Sequence, residues 1–206
     1  MTFTYDPIEF KPGKSDVTPR IWSVPDGSLL AALRGHKGEV STAVFSTDGT
    51  RLATSSWDDT VRVWNSDGGE PIFVLTGPGP GKPATSGAIS PKGDAILGTF
   101  TDSSVRVWNA ETGKLKFSLK GHTNWVTQGL FSPNGQTILT TSWDGQARLW
   151  DSTTGKEVAR FQGHTDRLTG AAFSPNGERI VTRSDDFTAR VWDANHYASV
   201  AELRGH

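Results

Sequence analysis

The chain of 206 residues has no cysteine, no excess of charge of either sign and no long apolar run. Without cysteine it forms neither disulfides nor thiolate metal sites, which suits a reducing compartment. Its 21 Lys and Arg residues balance 22 Asp and Glu residues, so the net charge of −1 gives no long-range field to attract nucleic acid or anionic lipid. Nowhere do 18 apolar residues follow one another, and residues 1–14 lack the apolar stretch of a secretory leader. We therefore expect a soluble, cytoplasmic protein with no nucleic-acid or membrane partner.

Glycine, proline and tryptophan supply the informative features. The 23 Gly and 11 Pro place turns at short intervals, as a protein of many short strands needs. Five of the eight Trp recur at intervals of 42 or 44 residues, each two positions after an Arg: Trp22, Trp64, Trp108, Trp150 and Trp192. A fixed period of about 40 to 45 residues is typical of a propeller blade of four strands. The sequence therefore predicts an all-β fold built from like modules.

The segment 121–163 shows one module most completely. Four runs of residues that alternate between apolar and polar predict strands, at 126–131, 137–142, 146–150 and 157–161. The connections between them are short and rich in turn residues, which favours antiparallel hairpins. The same pattern of four strands fits three other segments: 36–78, 79–121 and 163–205. We therefore expect four complete antiparallel blades over residues 35–206.

Residues 1–34 fit an incomplete first blade. Phe10 lies 12 residues before Trp22, whereas the matching interval in the complete blades is 19, so about one strand is missing. Residues 17–22 and 29–33 are expected as its third and fourth strands. At the other end, Gly205-His206 opens a further module. Three outcomes are possible: a tight ring of five blades, a ring completed by other copies of the chain, or one completed by blades of a longer chain. We favour the second and third, because a first blade short of a strand would close poorly.

Other short motifs recur with the same period as the five tryptophans. Gly-His pairs recur at 35–36, 121–122, 163–164 and 205–206, and Trp-Asn or Trp-Asp pairs recur at 64–65, 108–109, 150–151 and 192–193. With these landmarks, the chain resembles a WD-repeat β-propeller over residues 10–206. The resemblance implies blades around a central channel, each with its fourth strand outermost. It favours a non-enzymatic scaffold that binds a protein or peptide on one face, with a structural fragment that pairs with itself or with missing blades as the alternative.

Three modules repeat a set of His, Ser, Asp and Trp residues: His36, Ser56, Asp58 and Trp64; His122, Ser142, Asp144 and Trp150; His164, Ser184, Asp186 and Trp192. A Ser, a His and an Asp invite a hydrolase interpretation. The family pattern implies a structural network instead, in which the Asp accepts from one imidazole nitrogen, while the Ser hydroxyl donates to the other and accepts from the Trp N–H. A buried Ser whose hydroxyl is already hydrogen-bonded within such a network lacks the oxyanion donors and the cleft that nucleophilic catalysis requires. We therefore expect no enzyme, and a hydrolase is the less favoured alternative.

The second complete module departs from this pattern. It has Gly79-Pro80 where Gly-His is expected and Phe100 at the position of the Ser, although Asp102 and Trp108 remain. Packing rather than hydrogen bonds should hold this blade. An irregular loop is expected over residues 77–83.

The five arginines that precede the periodic tryptophans are interpreted as structural. Because residues i and i+2 of a strand share a face, each guanidinium should lie near its own Trp or a neighbouring acid, with phosphate binding as the alternative. His196 stands alone in a predicted turn, without a second ligand at suitable spacing. No metal and no cofactor is predicted.

Three tryptophans lie outside the fivefold pattern. Trp57 and Trp143 each precede the turn Asp, and Trp125 follows His122 by three residues. In propellers that resemble this chain, such positions open on the face that engages partners. Matching positions in other blades hold Glu39, Ser41, Thr101, Thr127, Arg167, Thr169 and Asp185. Since Trp and Arg are enriched among binding hot spots, these positions predict a surface for a protein or peptide, with packing against the next blade as the alternative.

Overall fold

The computed structural model describes residues 17–204, which form five antiparallel sheets. The N-terminal sheet has two strands, β1 (Arg20–Trp22) and β2 (Leu29–Ala32). Four sheets of four strands follow and are called blades 1 to 4. This range contains no helix, and so none of the length and apolarity needed to cross a membrane. Phe10 and the pair Gly205-His206 lie outside the described residues.

The four blades share one topology, in which each strand pairs antiparallel with the next along the chain. Blade 1 contains β3 (Val40–Phe45), β4 (Arg51–Ser56), β5 (Thr60–Asn65) and β6 (Phe73–Thr76). Blade 2 contains β7 (Ala84–Ile89), β8 (Ala95–Phe100), β9 (Val105–Asn109) and β10 (Leu115–Leu119). Blade 3 contains β11 (Val126–Phe131), β12 (Thr137–Ser142), β13 (Ala147–Asp151) and β14 (Glu157–Phe161). Blade 4 contains β15 (Leu168–Phe173), β16 (Arg179–Ser184), β17 (Thr188–Asp193) and β18 (Ser199–Arg204). The predicted all-β fold of four-stranded antiparallel blades is confirmed.

The core lies between consecutive blades. Because side chains of a strand alternate between its two faces, each blade has a forward face toward the next blade and a back face toward the preceding one. Val61 and Val63 on the forward face of blade 1 pack with Ile96 and Trp108 on the back face of blade 2. The same contact joins blade 2 to blade 3 and blade 3 to blade 4. Each periodic Trp of blades 1 to 4 is buried on a back face, which explains the period.

A hydrogen-bonded network stabilises the back face of blades 1, 3 and 4. In blade 1, Nδ1 of His36 lies 2.9 Å from Oδ2 of Asp58, and its Nε2 lies 2.7 Å from Oγ1 of Thr54. The indole N–H of Trp64 donates to the same Thr54 oxygen at 2.9 Å. Since an ionised carboxylate only accepts, Nδ1 carries the proton and Nε2 accepts from the Thr hydroxyl. Blades 3 and 4 repeat the three contacts at 2.7 to 2.9 Å with Thr140 and Thr182.

The prediction that Ser56, Ser142 and Ser184 supply the network hydroxyls is wrong. In the register of β4 and β5, Leu52 lies opposite Trp64, and Thr54 is the next residue on the same face of the strand. Ser56 lies one step further on, at the end of β4. Its hydroxyl donates to the carbonyl of Gly38 at 2.9 Å and accepts from the N–H of Asp58 at 3.1 Å. Ser142 and Ser184 make the same two turn contacts.

The protonation states agree with this network. Burial lowers the pKa of His36, so its ring is neutral. Burial opposes ionisation of Asp58, but hydrogen bonds from Thr60, the Lys37 N–H and His36 together lower the pKa of its carboxyl to about 2. A neutral imidazole between an ionised carboxylate and a hydroxyl satisfies every buried polar group of the set.

Blade 2 replaces the network with packing. Gly98 occupies the position of Thr54, and a Cβ there would lie 2.9 Å from the ring of Trp108. Phe100 is fully buried and meets Trp108 edge to face, with the ring centroids 6.3 Å apart. Blade 2 therefore buries Trp108 without a hydroxyl or an imidazole, as the sequence predicted.

We predict that Thr140→Val destabilises the protein by about 1 to 3 kcal/mol, because His122 and the indole N–H of Trp150 both lose a buried partner. Urea unfolding measures the change. The matched control is Thr137→Val, the same substitution in the same strand, at a hydroxyl with no hydrogen-bond partner within residues 17–204. Equal unfolding midpoints for the two variants would contradict the network.

Candidate partner-binding surface

The loop before the first strand and the turn between the second and third strands lie at the same end of every blade. One backbone hydrogen bond joins them in each blade, at 2.8 to 3.1 Å: Trp57 N–H to Glu39, Thr101 to Pro83, Trp143 to Trp125, and Asp185 to Arg167. These residues therefore occupy equivalent positions around the domain. We call this end the loop face, and its predicted partner-binding residues are Glu39, Trp57, Trp125, Trp143, Arg167 and Asp185.

The turns of the loop face are fixed by an Asp and by one residue with left-handed backbone. Asp58 Oδ1 accepts from the backbone N–H of Thr60 at 3.2 Å and from its hydroxyl at 2.6 Å. Gly145 holds the left-handed position in blade 3, but Asp59, Ser103 and Phe187 hold it in the other blades, with φ between 63° and 72°. A bulky residue rarely adopts this conformation. Phe187 does so while 77% exposed, and sequence reasoning missed it, although it aligns with Gly145.

Trp125, Trp143 and Arg167 form a stack on the loops of blades 3 and 4. The rings of Trp125 and Trp143 are 4.5 Å apart between centroids and 14° from parallel. The guanidinium carbon of Arg167 lies 4.3 Å from the ring of Trp143. Trp125 and Arg167 are exposed, while Trp143 is half-buried. The sequence predicted these residues individually, and the fold brings them into one surface.

Trp57 lies on the same face, at the position in blade 1 that Trp143 has in blade 3. It is 53% exposed. Glu39 and Asp185 are also exposed, and neither forms an ion pair within the described range of 17–204. Trp57 and these two carboxylates are therefore open on this face, together with Trp125 and Phe187.

Thr127 has a different role from the other predicted residues. Its hydroxyl donates to the carbonyl of Leu168, 3.0 Å away in the first strand of blade 4. Ser41 and Thr85 make the equivalent bonds to the blades that follow them, to Ala84 and Val126. The Thr127 hydroxyl is therefore used to join neighbouring first strands, on the border of the loop face.

Three of the arginines that precede the periodic tryptophans contact acids or rings within the fold: Arg62, Arg148 and Arg190. Arg148 pairs with Glu157 at 2.8 Å, and Arg190 pairs with Glu202 at 2.5 Å. Arg62 lies 3.7 Å from Asp58 and 6.0 Å from the Trp64 ring. The guanidinium of Arg148 also lies so close to Gly121 that a Cβ there would be 2.2 Å from it, which explains the Gly of the Gly-His pair. These contacts support the structural interpretation over phosphate binding.

In the described part of the chain, no hydrogen bond joins the Ser of a blade to the His of that blade. Ser56 and Ser142 are fully buried, and their hydroxyls donate to backbone carbonyls rather than to a histidine. Within residues 17–204, no three His, Asp or Glu side chains come together in a group that could hold a metal ion.

Comparison with known proteins agrees with this architecture. The family model described as WD domain, G-beta repeat matches residues 27–65, 113–151 and 155–193, together more than half of the chain. Each matched segment runs from a fourth strand through the first three strands of the following blade. The segment that ends with the third strand of blade 2 is unmatched, in agreement with its missing network.

Curated relatives resemble parts of the chain. Periodic tryptophan protein 2 of Saccharomyces cerevisiae is 47% identical over 60 residues, 27% of this chain and 6% of that protein. The guanine nucleotide-binding protein subunit beta of Schizosaccharomyces pombe is 40% identical over 53 residues, 26% of this chain and 17% of that protein. The chain thus spans only a small part of the length of the relatives it matches. The extent of the family match and the observed blades lead to one conclusion: the chain belongs to the WD40 repeat family.

Proposed function

We propose that this chain is a non-enzymatic scaffold that binds a protein or peptide on its loop face. WD40 domains commonly mediate protein binding. The observation that carries the proposal is the stack of Trp125, Trp143 and Arg167 at the surface, on loops held by the rigid blades. The absence of catalysis is proposed because the serine hydroxyls of blades 1 and 3 are buried and committed to carbonyls.

The stack suits binding because its rings are already ordered. Trp and Arg are the residue types most often found as hot spots, and they bind best when a partner excludes water from them. Immobilising a free side chain on binding costs about 0.5 to 1.5 kcal/mol, and two rings stacked at 4.5 Å avoid much of that cost. The charged rim is mixed, with Asp166 and Asp185 beside Arg167, which is the composition of a protein-binding patch.

Peptides are first selected from a random displayed library for binding to the wild-type chain. We predict that their affinity for the Trp125→Ala, Trp143→Ala double variant is lower by about tenfold or more. The thermal unfolding temperature should change little, because both rings contact solvent and their mutual stacking contributes only about 1 kcal/mol. Isothermal titration measures the affinities.

Tyr197→Ala is the control for this experiment. Tyr197 is an exposed aromatic residue in the turn between β17 and β18, at the opposite end of blade 4. Its substitution should leave peptide affinity unchanged. Selected peptides that bind the double variant as tightly as the wild type would overturn the loop face as the binding surface, and a collapse of the fold would assign the two rings to the core.

Assembly with further blades is a second candidate function, and the forward face of blade 4 favours it. Val181 is 37% exposed, whereas the equivalent Ala53, Leu97 and Leu139 are at most 1% exposed. Leu203 is 47% exposed, whereas the equivalent Leu75, Leu119 and Phe161 are 5% or less. In blades 1 to 3 this face is covered by the back face of the next blade. The partner of this face would be a blade of the same kind, from a second copy of the chain or from a longer chain.

If a second copy covers this face, light scattering at micromolar concentration should give a multiple of the chain mass, and the Val181→Asp, Leu203→Asp double variant should be monomeric. Both side chains are exposed in the single chain, so the variant should still fold. Val158→Asp, at an exposed apolar residue of the outer strand β14, is the control and should keep the assembly. A monomeric wild-type chain would exclude pairing of copies.

A further inference from the structure

Two turns of the loop face carry a tryptophan at the same position, and their surroundings differ. The N–H of Trp57 donates to the carbonyl of Glu39 at 2.8 Å, and the N–H of Trp143 donates to that of Trp125 at 2.9 Å. The backbone framework is therefore the same in blades 1 and 3. What differs is the pair of side chains supplied by the loop of the same blade and the loop of the next blade.

Trp143 is covered by both of those loops. The ring of Trp125 comes from its own blade, and the guanidinium of Arg167 comes from blade 4. At the same two positions around Trp57 the chain has Glu39 and Pro83, neither an aromatic ring nor a cation. Trp57 is accordingly 53% exposed, while Trp143 is half-buried. Between residues 17 and 204, no ring and no cation stacks on Trp57.

The contact on Trp143 indicates which chemical group this position accepts. A guanidinium within about 6 Å of an indole centroid is attracted by the ring, and Trp is the strongest of the aromatic partners. Arginine is more weakly hydrated than lysine and stacks its plane on the ring, so it loses less on leaving water. The 4.3 Å contact of Arg167 with Trp143 is an instance of this geometry within the chain.

The charge beside Trp57 also favours a cation. Glu39 is exposed at the position from which Trp125 stacks on Trp143, and it has no ion-pair partner among residues 17–204. The Asp59 carboxylate lies two residues beyond Trp57; its Oδ2 accepts from the Gly81 N–H at 2.6 Å, and its Oδ1 is buried without a partner in the described chain. Lys37 and Lys82 belong to the neighbouring loops, but neither pairs with these carboxylates.

We infer that Trp57 and Glu39 form a docking site for an arginine side chain of the bound protein or peptide. The inference rests on the proposed function and adds the chemistry of the partner. The guanidinium stacks on the indole of Trp57 as Arg167 does on Trp143, and the carboxylate of Glu39 attracts its charge. A partner that presents an arginine to blade 1 and apolar or aromatic groups to the stack of blades 3 and 4 fits the two surfaces together.

The test uses N-acetyl-arginine amide as the probe and the indole N–H resonances of the full chain as the readout. Titration should shift the Trp57 resonance with saturation and leave Trp143, whose ring Arg167 already covers, unchanged. N-acetyl-citrulline amide has nearly the same shape without the charge, and Glu39→Gln removes only the carboxylate charge. Each change should weaken binding about two- to fivefold.

Arg167→Ala provides the matched variant, because it uncovers Trp143. In that variant the probe should also shift the Trp143 resonance. Equal binding of the arginine and citrulline probes, or no selective shift of Trp57, would overturn the inference. Peptides that bind through Trp125 and Trp143 without any need for arginine would also overturn it and leave the scaffold function intact. Selective binding of the probe at Trp57 in a chain that selects no peptide would instead support the site and count against the scaffold.

Discussion

Burial of one tryptophan per blade against the preceding blade is the contact on which the other features of this structure depend. The ring of Trp108, for example, fills the space above Val61 and Val63, and the next two blades repeat the arrangement. An indole buries a large apolar area but carries an N–H that needs an acceptor when it is buried. In blades 1, 3 and 4 a threonine hydroxyl is that acceptor, and a histidine and an aspartate hold the hydroxyl in place. The same Asp fixes the turn that carries the loop-face residues, so core and surface are connected through one side chain.

This connection explains how a repeated framework presents a varied surface. The hydrogen bond between turn and loop keeps the same length in all four blades, to within 0.3 Å. The side chains of the two bonded residues differ between blades: they are Trp143 and Trp125 in blade 3, but Asp185 and Arg167 in blade 4. The stack of Trp125 and Trp143 in blade 3, and Trp57 with Glu39 in blade 1, differ at these surface positions while the hydrogen-bonded network is the same in both blades. Under the proposed function, recognition can therefore change without a change of fold.

The sequence alone predicted most of the fold, because the period of the tryptophans and the positions of the turn residues are local signals. It assigned the wrong hydroxyl, since Thr54 and Ser56 lie on the same face of one strand and only the register with Trp64 separates them. The stack of Trp125, Trp143 and Arg167 depends on loops of two different blades, which no spacing within one repeat encodes. The sequence allowed an open ring, but it did not identify which face is exposed, because the forward face of blade 4 has the same apolar pattern as the covered faces.

Hydrogen exchange of the indole N–H groups, followed residue by residue by NMR, tests the central contact most directly. The account predicts slow exchange, limited by opening of the blades, for Trp64, Trp150 and Trp192, whose N–H groups are buried and bonded to threonine. Trp57 and Trp125 are exposed and should exchange orders of magnitude faster. Similar rates for the two sets would mean that the periodic tryptophans are not held between the blades, and would contradict the account.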